Sequence, residues 1–225
     1  MILTDRQIRE ACEKGDIVIE PFEDGQVEAA TYDLRVGEQG ATTSTKRLVN
    51  IRETGSLLLA PGDFGVVTVH ETIKLGPQYA ARFGLRSKFA RKGLIATTGP
   101  QIDPGFHGRL IIGLTNLTPR SVSLPYKDDF ISVELHRLEE AVSKPYSGPY
   151  QDRTELRPED IEAVMESEGM ALSEVMTMLR SLSENVAALT QDVTSLTAEF
   201  RSYKWAVPVI VGLGIAFISI IVAIK

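Results

Sequence analysis

The sequence predicts a mainly β domain followed by an α-helical coiled coil and one membrane-spanning helix, and three observations predict it. Between Ile17 and Leu138, short apolar runs are split by Pro, Gly and Asp, the pattern of strands joined by turns. Beyond Arg157 the apolar positions recur instead at spacings of three and four, the period of a helix. The stretch from Trp205 to Ile224 then carries no charge. These changes of pattern set boundaries at 1–142 for the β domain, 143–157 for a linker or tail, 158–204 for the coil and 205–224 for the transmembrane helix.

Taken in order, Thr4-Asp5-Arg6-Gln7 is a capping box, in which the Thr4 hydroxyl and the Gln7 side chain satisfy open backbone donors at a helix start. A short helix to about Lys14 follows, with Gly15 ending it and Cys12 as a packing residue. Strands are expected at Asp16 to Glu20, Leu57 to Leu59, Phe64 to Val69, Leu94 to Thr97, Leu110 to Thr115 and Phe130 to Leu135. Pro61-Gly62, Gly76-Pro77, Gly99-Pro100 and Pro104-Gly105 supply turns where such strands must reverse.

Leu172, Leu179, Val186, Val193 and Phe200 alternate with Val175, Leu182, Leu189, Leu196 and Tyr203, sustaining a heptad pattern. The narrow stripe favours self-association over packing on a globular surface, although the mixture of Leu, Val and Phe does not settle the number of strands. As a helix, Trp205 to Ile224 spans about 30 Å, the thickness of the hydrocarbon layer. Arg201 and Lys204 precede it and only Lys225 follows, which places the N-terminal domain in the cytosol by the positive-inside tendency. No apolar run of signal-peptide length opens the chain. The expectation is a single-pass C-terminal anchor.

A formal net charge of -6 argues against binding polymeric nucleic acid, which needs a basic surface. The single cysteine excludes an intramolecular disulfide, and His70, His107 and His136 lack the spacing of a zinc site. Against that acidic background, Arg86, Lys88, Arg91 and Lys92 place four cations within seven residues, with Ser87 beside them. Such a cluster suits a triphosphate, because Arg clamps phosphate oxygens bidentately and Lys adds point charge.

Five segments together resemble the dCTP deaminase and dUTPase superfamily, the deaminase branch most closely. They are LTDRQIREACEKGDIVIEP at the start, ATYDLRVG at Ala30 to Gly37, LRSKFARKGL at Leu85 to Leu94, IDPGFHG at Ile102 to Gly108 with Asn116 closing the next strand, and KPYSGPYQ at Lys144 to Gln151. The resemblance runs from Met1 to about Gln151. It implies a compact β fold of the trimeric type, with nucleotide sites at subunit interfaces. It further implies that Arg86, Ser87 and Arg91 hold phosphates and help position the attacking water, beside Lys88 of the same cluster, that Asp103 contacts the deoxyribose region and that Tyr146 approaches the nucleotide from the tail. In the dUTPase version of the first motif, Asp33 sits near the Mg2+-triphosphate region through water; it is equally suited to be a turn carboxylate.

The departures bear on activity. Gly113 stands where the deaminases carry the glutamate that shuttles protons between water and the cytosine amino group, a contribution of general acid–base type worth 10²–10⁴-fold or more. Pro149 and Arg153 replace a Lys and a Gln of the tail, Ser132 a Gln of the late strand, and Lys127 the turn Gly before it. Three functions follow as expectations. The first is a membrane-tethered protein that binds or senses a nucleotide without deaminating it. The second is a Mg2+-dependent dNTP diphosphohydrolase in which Asp103 activates water. The third is a membrane-perturbing oligomer with the β domain as trimerisation scaffold.

Overall fold

The computed structural model describes residues 1–166, 178, 180–191, 193–197 and 209–215. The chain divides into two compact units, Met1–Ser173 and Glu174–Lys225.

In the first unit, helix α1 (Asp5–Glu13) starts as its capping box requires, with the Thr4 N–H donating to Gln7 Oε1 at 3.0 Å. It buries Ile8 and Ala11 and stops at Gly15, whose φ of 75° suits glycine. Cys12 packs against the core, and burial pushes its thiol up to about 11. The strands are β1 (Ile17–Glu20), β2 (Tyr32–Thr42), β3 (Val49–Asn50), β4 (Ser56–Leu59), β5 (Phe64–Val69), β6 (Thr72–Leu75) and β7 (Tyr79–Leu85). They continue with β8 (Leu94–Ala96), β9 (Gln101–Ile102), β10 (His107–Gly108), β11 (Ile111–Asn116), β12 (Val122–Pro125) and β13 (Asp129–Arg137). Short helices α2 (Ile51–Thr54) and α3 (Ser87–Ala90) lie between them, and α4 (Pro158–Glu166) follows.

The main sheet runs β8-β11-β5-β2-β13-β7-β9, with β3 also paired to β2. A three-stranded sheet, β1-β6-β10, and the pair β12-β4 complete the β structure. Every named pairing is antiparallel. All six expected strands are present, the sixth extended to Arg137.

The longest strand, β2, is not among them. It sits between β5 and β13 and is buried on both faces. Tyr32, Leu34 and Val36 enter the apolar core, while Asp33 and Arg35 alternate with them and are buried as well. Two charges in a buried strand are tolerated only where partners neutralise them. Arg35 Nε lies 2.6 Å from Glu71 Oε1 and its Nη1 lies 2.5 Å from Glu23 Oε1.

The turn into β13 keeps a backbone shape that glycine favours, although a lysine occupies it. Lys127 adopts a φ of 61° between Tyr126 and Asp128, and its N–H donates to the Val36 carbonyl. A residue with a Cβ pays for that left-handed conformation, which glycine adopts freely. Lys127→Gly is therefore expected to stabilise the protein by about 1 kcal/mol, read as a rise in the denaturation midpoint; a fall would show that the lysine side chain offsets the strain.

The stretch expected to open the coiled coil packs on the β unit instead. In α4, Val164 is fully buried and clusters with Leu156, Ala41 and Val66. The Leu156 N–H donates to Gln39 Oε1 on β2 at 2.8 Å, pinning the approach.

In the second unit, residues 178, 180–191, 193–197 and 209–215 are helical. Leu182, Val186, Leu189, Val193 and Leu196 are exposed at heptad spacing. Thr190, Thr194 and Thr197 donate their hydroxyls to the carbonyl four residues back, which satisfies each hydroxyl locally on the helix. The other heptad positions, Leu172, Val175, Leu179, Phe200 and Tyr203, lie outside the described residues, as does most of Trp205 to Ile224. Among the described residues, no helix is long and apolar enough to cross a membrane.

Candidate functional site

The basic turn follows β7. The Arg86 N–H donates to the Phe130 carbonyl at 2.8 Å, and Phe89 plugs α3 into the core. This anchors the backbone and turns the cations outward, yet two of them are already paired. The Arg86 guanidinium meets the buried Asp33 carboxylate, and lies 3.8 Å from Asp129. Lys88 Nζ reaches Asp128 Oδ2 at 2.6 Å. Arg91 and Lys92 are exposed and form no ion pair among the described residues. Asp33 lies within β2 rather than in a turn; it accepts from Ser132 Oγ at 2.5 Å as well as from Arg86. Both residues named as departures nearby, Ser132 and Lys127, thus belong to this polar seam and the turn that borders it.

A cavity of about 390 Å³ is lined by β11 and the turn before it. Phe64, Val66, Phe83, Phe106, Ile111 and Ile112 make its walls apolar. Thr97, Thr98, Gln101, Asp103 and Arg109 are its polar lining in the sheet domain, and Tyr146, Tyr150, Asp160 and Ala163 close it from the tail. Of the residues expected in the site, Asp103 and Tyr146 meet here, with Gly113. Arg86, Ser87, Lys88, Arg91 and Asp33 do not line it. One protomer therefore holds the phosphate-type cations and the cavity as separate features.

The tail is built onto the cavity by its own bonds. The Tyr146 N–H donates to the Pro104 carbonyl at 2.8 Å, its ring packs on Phe106 at 5.8 Å between centroids, and its hydroxyl accepts from the Tyr150 N–H. Asp152 Oδ1 lies 2.6 Å from His107 Nδ1. Arg153 is buried and ion-paired with Asp160, which also accepts from the Arg157 N–H. Close by in charge, Arg109 joins Lys127 and Arg35 in lowering the His70 pKa, which burial first and these cations second bring to about 4.

Residues 2–138 match the profile of the dCTP deaminase-like family. The chain belongs to that family. It is 35% identical over 157 residues to the dCTP deaminase of Thermococcus sibiricus, covering 70% of this chain and 96% of the relative. It is 30% identical over 171 residues to the dUMP-forming dCTP deaminase of Aquifex aeolicus, covering 72% of this chain and 95% of that one. Among solved structures, the 2'-deoxycytidine 5'-triphosphate deaminase of Agrobacterium tumefaciens superposes with a TM-score of 0.51 at 18% identity. That match covers 60% of this chain and 46% of the solved chain, so it speaks for the fold.

Within this dCTP deaminase-like protein, Gly113 is more than a truncated side chain. It pairs with Val66 across β11 and β5, and its carbonyl accepts from the Thr97 N–H at 2.9 Å. Its own N–H donates to Thr98 Oγ1 at 2.6 Å. A Cβ added at this position would lie 2.6 Å from Thr97 Oγ1, 3.2 Å from Thr98 Oγ1 and 3.3 Å from Phe64 Cε2. Two hydroxyls and a ring thus occupy the space into which a larger side chain would grow. Glu134 pairs with Arg82 across β13 and β7 and does not line the cavity.

The residues present do not form a metal cage. Among the described residues no group of three or more His, Cys, Asp or Glu is placed to hold an ion, and Asp33 is engaged by Arg86 and Ser132. Thr97, Thr98, Arg109, Tyr150 and Asp160 were not singled out from sequence. Thr97 and Thr98 fall in a turn of ordinary composition, and Asp160 reads as a helix-start carboxylate until the fold folds α4 back.

Proposed function

We propose that this protein is a membrane-tethered, homotrimeric nucleotide-binding protein that does not deaminate dCTP and reports nucleotide occupancy through its C-terminal helix. Gly113 carries the reading. Deamination without a metal needs a positioned group to take a proton from water and return one to the leaving amine. Glycine supplies none, and Thr97 and Thr98 are hydroxyls too weakly acidic or basic to replace a carboxylate. The separation of the basic turn from the cavity supports the trimer. A site joining Arg86, Ser87 and Arg91 to Asp103 and Tyr146 takes the turn from one subunit and the cavity from another. Three parallel tails would then bring together the exposed stripe from Leu182 to Leu196 as a coil, and the charge-free stretch Trp205 to Ile224 would anchor it.

A second reading, a dNTP diphosphohydrolase, is favoured by Asp103, which lines the cavity and forms no ion pair among the described residues. The product named for the Aquifex relative, dUMP from dCTP, requires loss of both the amine and pyrophosphate, so both chemistries occur on related chains. Mg2+ would here arrive with the triphosphate, since the described side chains offer it no cage.

The test uses the full chain in detergent micelles with each dNTP, UTP and Mg2+, following thermal shift and products together. Binding without turnover is the expected result. Conversion of dCTP to a deoxyuridine nucleotide would sink the proposal, and pyrophosphate release without deamination would replace it by the hydrolase. Neither binding nor turnover would leave the membrane-perturbing scaffold. Gly113→Glu alone is expected to leave deamination undetectable and to lower stability, because the new side chain meets Thr97 and Thr98; dUTP appearing from dCTP in that variant would show that the lost glutamate was the whole difference.

A further inference from the structure

Arg109 lies between β10 and β11, where its backbone N–H donates to the Arg153 carbonyl at 2.7 Å. Its side chain is half-buried and is the one Lys or Arg among the described residues lining the cavity. Nη1 makes a long contact of 3.5 Å to the Thr154 carbonyl, and Nε is buried with no hydrogen-bond partner. No described carboxylate lies within ion-pairing distance of it.

Arg35 and Arg153 also bury one unpartnered nitrogen each, but both are ion-paired. Arg35 has Glu71 and Glu23, Arg153 has Asp160, and Arg86 has Asp33. Of the cavity's two carboxylates, Asp160 is committed to Arg153, and Asp103 reaches no cation. The Nε of Arg109 is thus shielded while the Nη end stays open, so the fork can still meet an anion that enters the cavity.

We infer that Arg109 is an anion-binding residue of the cavity, holding a phosphate of a nucleotide whose base lies against the aromatic walls. This rests on the nucleotide-binding reading above and adds a contact that the basic turn does not provide. The guanidinium fork matches a phosphate bidentately, and Phe83, Phe106 and Tyr146 offer flat apolar surface beside it. The volume of about 390 Å³ falls within the range of small-molecule sites. The tail shares in the arrangement, because the Thr154 carbonyl that touches Arg109 belongs to it.

The test compares each deoxynucleoside with its monophosphate, deoxyuridine with dUMP and deoxycytidine with dCMP, by calorimetric titration of the full chain in micelles. Arg109→Ala is expected to reduce the preference for monophosphate over nucleoside by about 10–100-fold, the worth of a hydrogen bond to a charged group, while nucleoside affinity holds. Arg109→Lys should restore part of the preference, since it returns charge without the fork. An unchanged ratio in Arg109→Ala would overturn the inference while leaving nucleotide binding standing. Equal weakening of nucleoside and monophosphate would also overturn it, by making Arg109 a structural support. Failure of the unmodified chain to bind any nucleotide would remove both readings.

Discussion

In an Arg86→Ala variant, stability to urea is expected to fall by about 3–5 kcal/mol and the nucleotide-dependent thermal shift to vanish. The first effect comes from Asp33, whose carboxylate is 2% exposed and would be left with Ser132 Oγ as its side-chain partner. Breaking a buried pair from one side strands a charge, whereas removing both sides does not. Adding Asp33→Asn to Arg86→Ala is therefore expected to recover most of the stability. It should not recover binding if the guanidinium also serves a phosphate across a subunit interface. Arg86→Ala with unchanged stability would show that Asp33 does not depend on the pair. A double variant that binds nucleotide normally would refute the phosphate role, and this separates chemistry from folding.

Glu71→Ala is expected to destabilise the first unit by a similar amount, about 3–5 kcal/mol. Glu71 is fully buried and receives both the Arg35 N–H at 3.0 Å and Arg35 Nε at 2.6 Å. Burial raises its pKa, while these bonds from Arg35 pull it down. Without Glu71, the Arg35 guanidinium, 6% exposed, keeps only Glu23, itself half in solvent. Arg35→Met combined with Glu71→Leu should restore much of the loss, since apolar replacements of a buried pair are often neutral or better. Urea denaturation of the single and double variants measures the coupling. Additive effects would mean that the two side chains do not depend on each other.

These two ion pairs explain why the central strand escaped the sequence pattern. Asp33 and Arg35 break Tyr32 to Val36 into single apolar residues, so this stretch lacks the apolar runs by which the other strands are read, and the alternation points its charges to solvent. The charged face is instead covered, because Arg86, Glu71 and Glu23 arrive from distant parts of the chain to neutralise it. The six strands anticipated from apolar runs needed no such partners. Helix α1 was legible for the same reason, since its capping box and Gly15 act within a few residues.

The site was legible in parts and not as a whole. The motifs located Asp103, Tyr146 and the basic turn, but nothing in their order shows that the turn lies outside the cavity of its own protomer. Arg109 sits one residue beyond IDPGFHG and reads as a surface cation; its exceptional feature is an absent partner, which is a property of space. Likewise, helical spacing marks Ile161 and Val164 as apolar but does not say what they face. They pack on the sheet, where the bond from Leu156 to Gln39 directs the tail.

What the sequence by itself determined was the family, the β character of the first unit and the glycine at position 113, because each depends on residue identity or on neighbours a few places away. Only the tertiary structure decided that Thr97, Thr98 and Phe64 fill the space beside Gly113, that Asp33 is held by Arg86, and that Arg109 lines the cavity with no described carboxylate within ion-pairing distance. Those are outcomes of long-range packing, in which the energy of a charge or a methyl group depends on what surrounds it.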